Sequence, residues 1–150
     1  MALRLRPVRR ADLDILERWW SDPQAQGHHN WFGFAPDGQL RRRFEHDGLL
    51  SYFAVHHGPN PGSRAFNVGI ALLPEHRGRG HGAEAQRQLA VYLFVHTTTE
   101  RLEASTDVDN LAEQRALERA GFTREGVLRH AQFRGGGFHD LVLYSRLRGD

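Results

Sequence analysis

The sequence predicts an α/β chain of the α+β kind, with a mixed, mostly antiparallel central sheet flanked by helices. Three observations predict it. Short apolar runs alternate with segments of helical period through the middle of the chain. Two runs near the C-terminal end, residues 122–130 and 138–147, are joined across Gly135, Gly136 and Gly137, as a hairpin requires. A glycine-rich turn, residues 78–82, sits where an apolar strand gives way to an amphipathic helix.

Taken in order, Leu3 to Val8 alternates apolar and polar and reads as an opening strand. Residues 11–20 carry Leu13, Ile15, Leu16, Trp19 and Trp20 at helical spacing, and Ser21, Asp22 and Pro23 end that helix. Residues 24–38 read as a loop, residues 39–46 as a short basic helix and residues 49–56 as a strand. Residues 65–73 form a central strand stopped by Pro74, and residues 80–95 form the strongest helix. A strand at 101–106 and a helix at 110–120 follow, the helix closed by Gly121, the expected residue just past a helix end. The order is β-α-α-β-β-α-β-α-β-β, with no repeat or linker, so residues 1–150 read as a single domain.

Composition narrows the function. There is no cysteine, which excludes disulfides, Cys-ligated zinc and a Cys nucleophile, and no metal site is expected. No apolar run approaches the length of a membrane span. The basic N-terminus lacks the apolar stretch of a secretory signal, so a cytoplasmic protein without a membrane partner is expected. All 20 basic residues are arginine, and arginine suits bidentate phosphate binding. A net charge of +2, with acidic residues scattered among the basic ones, gives no footing for a nucleic-acid partner.

Residues 70–84, IALLPEHRGRGHGAE, are the most informative stretch. Gly78, Gly80 and Gly82 let backbone N–H groups converge without Cβ interference. The helix that starts there offers unpaired N–H groups and the positive end of its dipole, an arrangement suited to a phosphate or diphosphate. Arg77 and Arg79 are placed to add charged donors. The plainer alternative is a structural turn with solvated arginines. The Gly-Lys-Ser/Thr ending of a Walker loop is missing, and the spacing does not suit a dinucleotide fingerprint.

Arg77-Gly78-Arg79-Gly80-His81-Gly82 resembles the Arg/Gln-x-x-Gly-x-Gly/Ala signature of the GNAT acetyltransferases. Two further blocks resemble the same family: the helix from Asn110 to Gly121-Phe122, and Glu125-Gly126-Val127-Leu128-Arg129 followed by residues 140–144, DLVLY. The last is similar to the RimJ/RimL-like branch, which acetylates ribosomal-protein N-termini. The resemblance covers essentially the whole chain from Leu3 onward. It implies the GNAT acyltransferase fold and acetyl-CoA as the donor, bound where the sheet splays apart. The pantetheine arm would pair with the strand at Ile70, Ala71, Leu72 and Leu73, and the pyrophosphate would lie on Arg77, Gly78, Arg79, Gly80, His81 and Gly82. Asn110 would contact the same cofactor. One N–H of that strand would face the thioester oxygen.

The resemblance breaks at the chemistry. Many relatives carry Tyr where this chain has Leu117, and others carry Ser where it has Glu113. With Asn110 as N-cap, Glu113 is expected to complete a capping box, or else to act in catalysis. A Glu that some relatives place before the phosphate turn corresponds to Asn67, which cannot act as a base. The candidates for proton transfer are His56 and His57 at a strand end, Glu103 and Asp107 on a strand, and Glu113. For acceptor binding, His28, His29, Trp31, Phe32 and Phe34 are expected to line a pocket; the alternative is that the aromatics cap the core. The strand region between residues 44 and 65 reads as shortened, with one clear strand where relatives have two, leaving a sheet edge that a homodimer partner would cover.

The leading reading is acetyl transfer from acetyl-CoA to a primary amine, either a protein N-terminus or a small molecule. The alternative is a non-catalytic acyl-CoA-binding module of the same fold.

Overall fold

A computed structural model describes residues 3–31, 33–34, 36–47, 53–56 and 64–150; of residues 46, 47, 53–56 and 64 it describes the backbone alone. A 3-10 turn, Arg10–Asp12, leads into α1 (Leu13–Trp20), α2 (Pro23–Gln26) and α3 (Gln39–Asp47). The strands β1 (Phe53–His56) and β2 (Arg64–Asn67) precede α4 (His81–His96). β3 (Arg101–Asp107), α5 (Leu111–Arg119), β4 (Thr123–Arg134) and β5 (Gly137–Leu147) complete the order.

Among the described residues the sheet has five strands in the order β1-β2-β3-β5-β4. β2 and β3 run parallel; the other three pairings are antiparallel. The mixed, mostly antiparallel sheet expected from the sequence is therefore present. Between residues 44 and 65, β1 is the one complete strand among the described residues, where it forms one edge of the sheet; residues 48–52 and 57–63, on which the expected shortening turns, lie outside them. The expected strand residues 49–52 lie outside the described residues, as does His57.

Local chemistry sets the element ends. Asp22 accepts the Gln24 N–H at 2.9 Å and Pro23 opens α2, so the predicted loop contains one helical turn. Asn110 caps α5, accepting the Glu113 N–H at 3.3 Å, and Gly121 closes it at φ +86°. Gly135 and Gly136, at φ +58° and +86°, make the tight turn between β4 and β5. β4 runs past the predicted end at residue 130. A register shift between Leu128 and Gln132, with the His130 N–H held by Asp140 Oδ1 at 2.7 Å, carries the strand on to Arg134.

Two expectations need correction. Residues 3–8 are not a strand of the sheet. Their backbone bonds instead to one side chain of α4: the Leu5 N–H donates to Gln88 Oε1 at 3.2 Å, and Gln88 Nε2 donates to the Leu3 carbonyl at 2.9 Å. A primary amide sets a donor nitrogen beside an acceptor oxygen, as a strand's backbone does, and so replaces a neighbouring strand. The predicted strand at 65–73 pairs only as far as Asn67. β2 meets β3 at Phe66–Leu102 and Asn67–Glu103, then the Val68 N–H donates to the Glu103 carbonyl at 2.7 Å. Beyond that point β3 continues beside β5 while residues 69–73 leave the sheet.

The core lies between the sheet and the helices α4 and α5. Leu93 and Ala90 of α4, Leu117 of α5, Leu102 and Ala104 of β3, and Val142 and Tyr144 of β5 are buried together. A buried leucine of this kind contributes about 1.5–3 kcal/mol. This packing holds the two helices against β3 and fixes the gap where β2 departs.

Candidate active site

A cavity of about 500 Å³ opens where residues 69–73 separate from β3. Its walls come from four places. Ile70, Ala71 and Leu72 form the departing strand; Arg77, Gly78, Gly80, Gly82 and Ala83 form the turn and the start of α4. Asn110, Ala112, Glu113, Arg115, Ala116 and Arg119 present one side of α5, and residues 26–30 close the remaining side.

The departing strand keeps unpaired backbone. Among the described residues, Ile70, which is half-buried, and Ala71, which is exposed, make no backbone hydrogen bond, and a half-buried peptide group such as that of Ile70 seldom goes without one. The start of α4 is similarly open. Its N-cap, Gly80, sits at φ +79° and no side chain caps the helix. Gly78 and Gly80 each face space in which an added Cβ would meet nothing within 4 Å. The first-turn amides of a 16-residue helix thus begin at the cavity wall, with the positive end of the helix dipole behind them.

Glu113 is the titratable group most altered by the cavity. It accepts a 2.5 Å hydrogen bond from Gln86 Nε2 of α4, and Gln86 is itself 2% exposed. Burial pushes the Glu113 pKa up to about 7, against the lowering effect of the Gln86 bond. The expected capping box is half formed: Asn110 caps, but the Glu113 carboxylate turns to Gln86 across the α4–α5 contact instead of back to the Asn110 N–H. Asn110 is also tied to β3, where Nδ2 donates to Thr106 Oγ1 at 3.0 Å.

His29 also lines the cavity. Its ring lies 3.7 Å from that of His28, and its Nδ1 is sheltered without a hydrogen-bond partner. Desolvation lowers its pKa, helped by His28 and Arg134 and opposed by Asp107 and Asp109, so the imidazole is neutral at physiological pH.

The other sequence candidates lie elsewhere. Asp107 is buried in an ion pair with Arg134, accepts the Asp109 N–H at 2.9 Å and lies 3.3 Å from His139 Nδ1. Burial opposes its ionisation, but the Asp109 bond and the Arg134 charge outweigh it and hold the pKa low. Glu103 is buried on β3, 2.7 Å from Arg101, which also bonds Glu125. Both carboxylates are structural ion-pair members outside the cavity lining. The His56 side chain and all of Phe32 fall outside the described residues. Trp31 and Phe34 pack edge to face on each other, 5.0 Å apart, and Phe34 is 84% exposed; neither lines the cavity nor caps the core. Leu73, Arg79 and His81 flank the cavity without lining it. His28 and His29 do line it.

Arg115 and Arg119 were not singled out in the sequence. They sit one helical turn apart on α5, line the cavity, and have no hydrogen bond or ion pair among the described residues. Their spacing, four residues apart on the face that also carries Ala112 and Ala116, was the signal available.

The Acetyltransferase (GNAT) domain family matches residues 2–123, and the chain belongs to that family. It is 26% identical to the uncharacterized N-acetyltransferase p20 of Bacillus licheniformis over 97% of this chain and 93% of that protein. The fold is similar to that of the ribosomal-protein-S5-alanine acetyltransferase of Vibrio fischeri, with a TM-score of 0.77 and 18% identity over 97% of this chain and 92% of that one. It is also similar to the spermidine N-acetyltransferase of Vibrio cholerae solved with CoA and spermine, with a TM-score of 0.74 and 20% identity over 96% and 94% of the two chains. The chain is thus an acyltransferase of GNAT fold. No helix among the described residues is long and apolar enough to cross a membrane, and no group of three or more His, Cys, Asp or Glu among them is arranged to hold a metal.

Proposed function

We propose that this protein is an acetyl-CoA-dependent N-acetyltransferase that acetylates a primary amine, a protein N-terminus or a small amine, by direct transfer within the cavity. The observation that carries the reading is the meeting of three features in one space: unpaired strand backbone at Ile70 and Ala71, the uncapped start of α4, and a half-buried carboxyl poised near neutrality. Structural neighbours that act on spermidine or a ribosomal protein, one of them holding CoA, favour the same donor and an amine acceptor.

The residues present suit that donor. An extended arm bearing amides would satisfy Ile70 and Ala71, and the α4 amides with Arg79 would take the diphosphate. Arg115 and Arg119 add positive charge along the same wall. When bound, acetyl-CoA supplies an activated acyl group with a thiolate leaving group. Glu113, whose pKa burial pushes up to about 7, accepts in its ionised form the proton that the amine sheds as its nitrogen forms the new bond. His29, neutral and lining the same cavity, orients the amine by a hydrogen bond. With no cysteine in the chain, a relay through a cysteinyl thioester is excluded.

The test is thiol release from acetyl-CoA in the presence of N-terminal peptides, polyamines and aminoglycosides. Release that depends on one of these amines is expected. Tight acetyl-CoA binding with no amine-dependent release would leave an acyl-CoA-binding module instead. A cytoplasmic location and a homodimer covering the β1 edge belong to the same proposal, checked by cell fractionation and light scattering.

A further inference from the structure

The acceptor-side wall of the cavity is a short strap, residues 25–30, with little to hold it. Ala25 and Gln26 are buried, but His28 and Asn30 are exposed, and the backbone bonds of the strap are local: Gly27 N–H to Pro23, and Asn30 N–H to Gly27. Among the described residues, the side-chain hydrogen bonds that reach it from distant parts of the chain come from two guanidiniums.

Arg77 approaches from the glycine turn. Its Nη2 donates to the Ala25 carbonyl and its Nε donates to the Leu72 carbonyl at 2.9 Å, so one planar group bridges the strap and the departing strand. Its own N–H donates to the Pro74 carbonyl at 3.2 Å. Gly27, at φ +75°, passes close beneath: a Cβ there would lie 3.7 Å from Arg77 Nη1. Arg134 approaches from the end of β4. Its Nη1 donates to the His28 carbonyl and its Nη2 to Asp107 Oδ2, with Asp107 the counter-charge that makes its burial tolerable. Ala25 and His28 are thus gripped three residues apart, and His29, next in the chain, carries the ring that faces the cavity.

We infer that Arg77 and Arg134 are positioning residues for the acceptor site, jointly fixing the strap at 25–30, and that Arg77 serves this strap rather than a phosphate. Two of the five N–H donors of Arg77, on Nε and Nη2, are committed to these carbonyls, which fixes the plane of the group on the strap. Arg79, on the same turn, is exposed beside the cavity with no hydrogen bond or ion pair among the described residues, which leaves its guanidinium free to turn to an anion. The inference rests on the proposed function for the identity of what enters the cavity, but not for the strap itself.

The experiment compares Arg77→Met, Arg79→Met and the neutral pair Asp107→Asn with Arg134→Gln, after circular dichroism shows each folded. Hydrogen exchange of the strap amides is read without ligand, acetyl-CoA affinity by calorimetry, and the KM for the amine by thiol release. Expected for Arg77→Met is strap exchange at least tenfold faster, acetyl-CoA affinity within about threefold of wild type, and an amine KM raised about tenfold with kcat less affected. The neutral pair gives the same pattern. Arg79→Met does the reverse, weakening acetyl-CoA with strap exchange unchanged. Unchanged strap exchange in Arg77→Met, or an acetyl-CoA affinity that falls as in Arg79→Met, would overturn the inference. Failure of the wild type to bind acetyl-CoA would instead sink the proposed function, leaving the exchange result to stand alone.

Discussion

Glu113 is where burial and chemistry meet in one side chain. Unfolded, it titrates at its ordinary 4.5; folded, at about 7, because burial disfavours the charge. The folded chain therefore holds more protons between those values, so the stability contributed by this group is greatest below 4.5, falls as pH rises to about 7, and then levels. Glu113→Gln removes the charge and keeps a polar partner for Gln86. It should raise the unfolding free energy at pH 8 by up to about 3 kcal/mol and leave it unchanged at pH 4, checked by denaturant melts at both values. The same variant should lower kcat/KM roughly 10²–10⁴-fold and abolish the rise in rate through pH 7, checked by a pH–rate profile. The sequence marks Glu113 as a helix-start residue. It does not reveal the Gln86 contact, because the two are 27 residues apart and meet only when α4 packs on α5.

At the scale of elements, the start of α4 and the exposed face of α5 carry the anion-binding argument. Gly80 faces open space at φ +79°, a conformation Asp tolerates better than most residues, so Gly80→Asp should fold. Its carboxylate would enter the cavity mouth and weaken acetyl-CoA binding on the order of a hundredfold, read by calorimetry. Removing both Arg115 and Arg119 by alanine should weaken binding about tenfold in low salt and much less in high salt, since exposed charges are screened. The glycine turn was legible in the sequence because its signal is local: an apolar run, three glycines and a helical period in succession. The early end of β2 was not. Apolarity continues to Leu73, and only the pairing of β3 with β5 shows that no partner remains for residues 69–73.

For the whole molecule, the sheet and the core under α4 and α5 were readable from periodicity, down to the glycine-only turn before β5. What could not be read is what depends on distant partners. The opening segment alternates like a strand but is held by Gln88, and Trp31 and Phe34 do not line the cavity that the composition of their loop suggested. Leu102 is fully buried in the core and pairs with Phe66 near the end of the β2–β3 contact. Leu102→Ala should cost about 2–5 kcal/mol in a denaturant melt. The account depends above all on what occupies the cleft between the departing strand and α4. The most direct measurement is an amide chemical-shift titration of the wild-type protein with acetyl-CoA. Saturable shifts centred on Ile70, Ala71 and the first turn of α4 are predicted; saturable binding that moves other amides and leaves these unchanged would contradict it.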